Sequence, residues 1–206
     1  MACTVVCISR ALGAGGEEIG RIIAAELGFR YADEEIIVRA AKEAGVSLET
    51  VEKAEQTPRL LQRILESMAR TPPAMEALSG VVPPDPLGTA TFEGIIERVI
   101  RTLASEGNVI IVAHGASLPL ADVSGVLRVL ITASPEIRAE RLAQKTDVDA
   151  SGAKKAIQES DRQRQQYLRR FYDVGSELPT HYDLVINTDD LAAPLAARLV
   201  VTAAKG

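Results

Sequence analysis

Short runs of consecutive apolar, often β-branched residues alternate along the chain with longer stretches whose apolar positions recur every three or four residues. The runs at 4–9, 109–113, 127–132 and 183–187 are apolar at neighbouring positions, as expected of strands buried on both faces. Between them, Ile19, Ile22, Ile23 and Leu27 share one face of a helix predicted over 18–27, and helical spacing also covers 34–44, 58–70 and 92–106. Ser134-Pro135-Glu136 opens another helix with an N-cap residue, a proline at the first helical position and an early acid. Strands separated by helices predict a parallel sheet wound right-handedly, and so an α/β fold.

Two segments break this rhythm. Residues 71–91 hold Pro72, Pro73, Pro83, Pro84 and Pro86, which predicts a long loop or a hinge joining a helical insert to the sheet. Residues 146–179 are polar and strongly charged, with their longest helix predicted at about 153–172. Inserts of this kind are where lids over a nucleotide are built.

The chemistry concentrates in the first twenty residues, which read as buried strand, glycine-rich turn and helix start. Gly13, Gly15 and Gly16 let the backbone wrap an anion, and the N–H groups where the helix begins point at it. The same glycines also suit a merely tight strand-to-helix connection. Arg10 favours an anion, because guanidinium grips phosphate through a planar fork. The lysine and hydroxyl that end a G-x-x-x-x-G-K-[ST] loop are absent, since Gly16, Glu17 and Glu18 follow Gly15. Acids in a helix's first turn are favourable in their own right.

Ligands of open parallel sheets gather at the carboxyl ends of the strands. Those ends are 9–16, 113–116, 132–134 and 187–189, with Asp33 joining them if 29–32 is a short strand. His114 is there a candidate ligand or a packed side chain, and His181 a weaker candidate. Arg138 and Arg141 share a helix face and, with Arg162, Arg164, Arg169 and Arg170, make a set able to close over a polyphosphate. Glu136, Glu140, Glu159 and Asp161 offer the same arginines ordinary helical ion pairs.

At 206 residues the chain suits one domain with a small insert. A net charge of −5 argues against nucleic acid as a partner, and no apolar run approaches the roughly 18 residues of a membrane span. Cys3 and Cys7 lack any companion Cys or His cluster, so they read as buried thiols of a soluble, cytoplasmic protein.

Ile8-Ser9-Arg10, then 13–19 and the Leu27-Gly28-Phe29-Arg30-Tyr31-Ala32-Asp33 stretch resemble the cytidylate kinase-like family, a branch of the nucleoside monophosphate kinases. Residues 109–116, 131–141, Asp161-Arg162-Gln163-Arg164 with Tyr167, and 182–188 continue the resemblance in order, while 48–91 match poorly. It implies a three-layer α/β/α P-loop kinase-like fold with a parallel sheet, a helical insert and a lid. The core would comprise 1–33, 92–145 and 180–206, the nucleotide-monophosphate-binding insert about 34–91 and the lid about 146–179. It also implies ATP and Mg2+ as cofactors and small nucleotides as substrates. Carried across, it assigns Arg10, Gly13, Ala14, Gly15, Gly16, Glu17 and Glu18 to the ATP phosphates. Asp33, His114 and Gly115 go to the acceptor, and Arg138, Arg141 and Arg164 to charge neutralisation during transfer.

Glu17 stands where the family usually has a basic residue and His114 where it usually has arginine. Two readings follow, an active kinase and a catalytically weak nucleotide-binding relative. A dinucleotide-binding reading is weaker, because Glu18 occupies the place of the third glycine of G-x-G-x-x-G.

Overall fold

The computed structural model describes residues 2–33, 35–36, 38–39, 89–112, 115–146 and 148–206. Two compact units divide the chain, one of residues 1–33 and 100–206 and the other of 34–99.

The first unit is built on a five-stranded sheet with every pairing parallel. Its strands are β1 (Val5–Arg10), β2 (Arg30–Ala32), β3 (Val109–Val112), β4 (Val126–Thr132) and β5 (Leu184–Asn187), in the spatial order β2-β3-β1-β4-β5. The central β1 sets Val6 beside Ile110 on one neighbour and Leu127 on the other. The helices of this unit are α1 (Gly16–Leu27), the part from residue 100 of α2 (Thr89–Glu106), α3 (Pro135–Lys145), α4 (Ala150–Tyr172) and α5 (Ala193–Lys205). The result is a three-layer α/β/α sandwich.

Burial on both faces follows from the strand pattern. Val6, Ile8, Val129, Ile131 and Ile186 pack with Ile19 and Ile23 of α1 and with Ala196, Ala197, Val200 and Val201 of α5. The alternate positions Val5, Cys7, Val109 and Ile111 turn to the other face and are equally buried. Each fully buried Ile or Val contributes about 1.5–3 kcal/mol by leaving water. Burial also raises the Cys7 thiol to a pKa of about 12, so it stays protonated, and Cys3 is partly buried.

The predicted strands agree with these to within a residue, and the conditional strand at 29–32 forms as β2. Ala113 lies outside the described residues. The helix expected at 18 starts at Gly16, and the one expected at 153 starts at Ala150, where Asp149 accepts the Gly152 N–H at 2.7 Å. The helix expected at 92 starts at Thr89, because Pro86 and Gly88 are the last breakers and 89–91 hold none. The final helix, α5, is an addition to the elements the apolar pattern predicted.

In the second unit, residues 35–36 and 38–39 are helical, and Glu35 and Arg39 pair one turn apart at 2.7 Å. The expected helix at 58–70, the remainder of 34–44 and the proline-rich stretch up to 88 lie outside the described residues. Among the described residues no helix is long and apolar enough to cross a membrane.

Helix α4, expected as part of a lid, packs on α3 through Ala153 and Ile157 against Ala139, with Leu12 and Leu142 alongside. Small side chains there let the two helices approach closely. Arg128 of β4 takes Asp183 in a fork of 3.0 and 2.6 Å and adds its backbone N–H at 2.8 Å, which fixes the entry into β5.

Candidate functional site

The connections leaving β1 and β4 run to opposite sides of the sheet, β1 toward β2 and β4 toward β5. Neighbouring strands of this kind open a crevice at their carboxyl ends. The glycine-rich turn 11–15 lies in it.

Two glycines are required here by geometry. Gly13 has φ 80°, and a Cβ on it would lie 2.7 Å from the Arg138 carbonyl oxygen. Gly15, at φ 83°, precedes α1 as its N-cap without any side-chain capping bond. Within the turn the Ala14 N–H donates to the Ala11 carbonyl, and the Ile19 N–H begins the helical ladder on Gly15. The N–H groups of Gly16, Glu17 and Glu18 are therefore the open donors of the first helical turn.

A cavity of about 530 Å³ stands in front of this turn. Gly13, Ala14, Gly15, Glu17 and Glu18 line one side of it, Arg141 and Lys145 of α3 another, and Thr188 with 191–193 a third. Arg21 adds a further cation, and its guanidinium lies over the Tyr31 ring at 5.3 Å.

Arg10, the last residue of β1, is held by carboxylates. Its Nε is 2.8 Å from Glu17 Oε1, a close ion pair although out of line for a hydrogen bond, and its Nη2 is 4.0 Å from Asp33. Burial raises the Asp33 carboxyl above its ordinary value, with the Arg10 charge pulling the other way and Glu17 reinforcing the rise. Tyr31, whose hydroxyl donates to Asp33 at 3.5 Å, is lifted to about 12, mainly by burial. Glu17 thus neutralises the one cation that the strand delivers to the turn.

The three expected transfer arginines occupy different settings. Arg138, only 4% exposed, donates to the Ala133 and Leu12 carbonyls and forks onto Asp161 of α4 at 2.8 and 2.7 Å. It braces the glycine-rich turn, α3 and α4 together and does not line the cavity. Arg164 of α4 forks onto Glu177 at 2.9 and 2.6 Å, and Glu177 also accepts from the Tyr182 hydroxyl. Arg141 lines the cavity, with Nη1 donating to Thr188 Oγ1 at 3.1 Å and Nη2 to the Thr188 carbonyl at 2.6 Å. Neither contact is a carboxylate.

Of the remaining candidates, Gly16 packs under Arg10, where an added Cβ would be 2.6 Å from the arginine Cβ. Gly115 has φ 65°, and its Cβ position would be 2.7 Å from the Tyr172 ring. His114 lies outside the described residues. Ser134 holds the N-cap position of α3 without a side-chain capping bond; its N–H is instead taken by Asp189 Oδ1 at 2.7 Å. That contact, more than any other, holds the Asp189 carboxyl below its ordinary value.

Lys145, Arg21 and Thr188 are site residues that motif reading did not single out. Lys145 lies one turn beyond Arg141 on the same helix face, a spacing that could have marked it. Among the described residues no group of three or more His, Cys, Asp or Glu gathers as a metal cage.

A family model described as the cytidylate kinase-like family matches residues 5–190. The cytidylate kinase of Ignicoccus hospitalis is 28% identical over 190 residues, covering 90% of both chains. That of Sulfurisphaera tokodaii is 24% identical over 198 residues, covering 95% of this chain and 92% of the other. Among solved structures, an uncharacterized protein from Eubacterium ventriosum superposes with a TM-score of 0.66 at 14% identity, covering 97% of each chain. The shikimate kinase of Bacteroides thetaiotaomicron superposes at 0.51 and 14%, covering 98% and 96%. The structures share the fold, and the match over 5–190 carries the closer relation: this chain belongs to the cytidylate kinase-like family.

Proposed function

We propose that this chain is a nucleoside monophosphate kinase that moves the γ-phosphoryl group of ATP to a pyrimidine monophosphate. The observation that carries this reading is the cavity between the open turn amides and the charged face of Arg141, on a family fold whose named relatives are cytidylate kinases. An oxygen of the acceptor phosphate attacks the γ-phosphorus, the bond from that phosphorus to the bridging oxygen breaks, and ADP leaves with the electron pair. Little covalent work falls to the protein in such a transfer, so positioning and positive charge dominate. The N–H groups at 16–18 receive phosphate oxygens, and Arg141 faces the charge that spreads during transfer. Three of its five N–H groups at most are used by Thr188 and Asp189, which leaves at least two for a phosphate. In this reading Arg10 serves the ATP phosphates and Asp33, 4.0 Å from its Nη2, the acceptor.

Magnesium sites in such enzymes use one or two carboxylates and the nucleotide's own phosphates rather than a protein cage. Glu18, exposed at the cavity, fits as that carboxylate. When bound, the ion neutralises phosphate charge.

The pairing of Arg10 with Glu17, Arg138 with Asp161 and Arg164 with Glu177 favours a second reading, a nucleotide-binding relative with weak catalysis. ADP release from MgATP with CMP, dCMP, UMP, AMP and GMP offered separately decides between them. The kinase reading expects turnover with a pyrimidine acceptor and at least a hundredfold loss in Arg141→Ala, with little change in melting temperature. Binding of MgATP without turnover by any acceptor selects the second reading.

A further inference from the structure

Thr188 follows β5, is only 2% exposed, and carries a hydroxyl with partners on three segments of the site. Its Oγ1 accepts Arg141 Nη1 at 3.1 Å and lies 2.9 Å from the Ala14 carbonyl and 3.2 Å from the Thr132 carbonyl. A hydroxyl has a single proton to give. The Thr132 carbonyl already receives the Thr188 backbone N–H at 2.8 Å, so the hydroxyl proton belongs to the nearer Ala14 carbonyl.

This bond acts on the peptide between Ala14 and Gly15. Glycine tolerates either orientation of the preceding peptide, and a Cβ on Gly15 would meet nothing within 4 Å, so on the Gly15 side neither conformation nor packing fixes the unit, while the Ala14 side chain is packed in the core. Flipped, it would present the Ala14 carbonyl oxygen to an anion in the cavity. Held by Thr188, the carbonyl is turned to the protein and the Gly15 N–H, on the opposite side of the planar unit, is left for the ligand. The same oxygen fixes the Arg141 guanidinium, whose other nitrogen is anchored on the Thr188 carbonyl.

We infer that Thr188 is the positioning residue of the phosphate site, orienting the Ala14–Gly15 peptide and Arg141 through one hydroxyl. This role rests on the kinase reading for its chemistry but needs only polyphosphate binding for its test. The near-isosteric Thr188→Val removes the hydroxyl, leaving a buried carbonyl without its donor and Arg141 without one acceptor. Expected are a fall of about tenfold or more in kcat/KM for MgATP, recovery to within about twofold in Thr188→Ser, and a double variant with Arg141→Ala whose loss is smaller than the two single losses combined, because only the share acting through Arg141 is already gone. A packing role alone would give additive losses and no rescue by serine.

Should Thr188→Val not fold, Thr188→Ala replaces it in the same comparison. Normal kcat/KM without the hydroxyl, failure of serine to rescue, or additivity with Arg141→Ala overturns the role. If the wild-type chain binds MgATP by calorimetry without turnover, the kinase reading falls while the Thr188 role is read as a tenfold loss of affinity in Thr188→Val; unchanged affinity overturns it. A wild-type chain that neither binds nor turns over MgATP overturns both.

Discussion

Glu17 is the residue whose placement most changes what the turn can do. A carboxylate in the first turn of a helix is favoured by the dipole, yet here it also lies 2.8 Å from Arg10 Nε. An incoming phosphate must compete with it for the guanidinium. Glu17 is about a third exposed, so solvent screens the pair and its strength is about 0.2–1 kcal/mol. Glu17→Gln is therefore expected to tighten MgATP binding about two- to fivefold without loss of thermal stability, and calorimetric titration of the two proteins checks it. Looser binding in the variant would show Glu17 holding Arg10 ready rather than shielding it. The candidates Gly13, Ala14, Gly15, Glu17 and Glu18 were legible because a glycine turn after a strand carries its meaning locally, and Arg141 because it shares a helix face with Arg138 and fits the family pattern. Thr188 was visible only as a strand end, since a lone threonine has no spacing signal and its role depends on which carbonyl lies opposite it, 174 residues away along the chain.

At the scale of elements, α3 and α4 meet through two alanines, Ile157 and an ion pair between Arg138 and Asp161. Arg138 is buried and Asp161 is half in solvent, so the pair is asymmetric. Asp161→Asn keeps the shape, removes the charge, and leaves the guanidinium with one side-chain acceptor in place of the fork, beside the Ala133 and Leu12 carbonyls. A loss of about 1–3 kcal/mol is expected in urea unfolding, below the cost of stranding a fully buried charge. A loss below about 0.3 kcal/mol would mean the helices are held by Ala139, Ala153 and Ile157 alone. Sequence periodicity located these helices and the strands beneath them because apolar spacing is a local property. Which carboxylate Arg138 would choose was not local: Glu136 and Glu140 were equally near along the chain, and only the packing of α4 brought Asp161 to the fork. Helix α5 escaped for another reason. Its inward face is built largely of alanine with Val200 and Val201, while the bulkier Leu195 and Leu199 point outward, which blurs the apolar stripe.

For the whole molecule, the edge strand β5 is tied to the sheet by carboxylates, and this gives stability a pH dependence of defined sign. Asp183 is held below its ordinary value of 3.8, first by the Arg128 side chain, and Asp189 likewise, first by the Ser134 N–H. A carboxyl lowered by folding contributes stability that is complete above its unfolded value and is lost as pH falls through the folded one. Asp33 runs the opposite way: raised by burial, it favours the fold most below 3.8 and withdraws that support as pH rises through its folded value. The wild-type protein is therefore expected to lose urea resistance from about pH 4 downward as the β5 ties are protonated. Asp183→Asn should lower the unfolding free energy at pH 7 by roughly 0.5–1 kcal/mol after solvent screening, and make the acid decline shallower. Asp33→Asn should raise the midpoint at pH 7 and leave it unchanged at pH 3. Urea titrations of the three proteins at pH 7 and pH 3 separate these effects. An Asp183→Asn protein with the wild-type acid slope would remove the β5 tie as the origin of acid sensitivity, because among the described residues no other carboxylate meets Arg128 in the same fork.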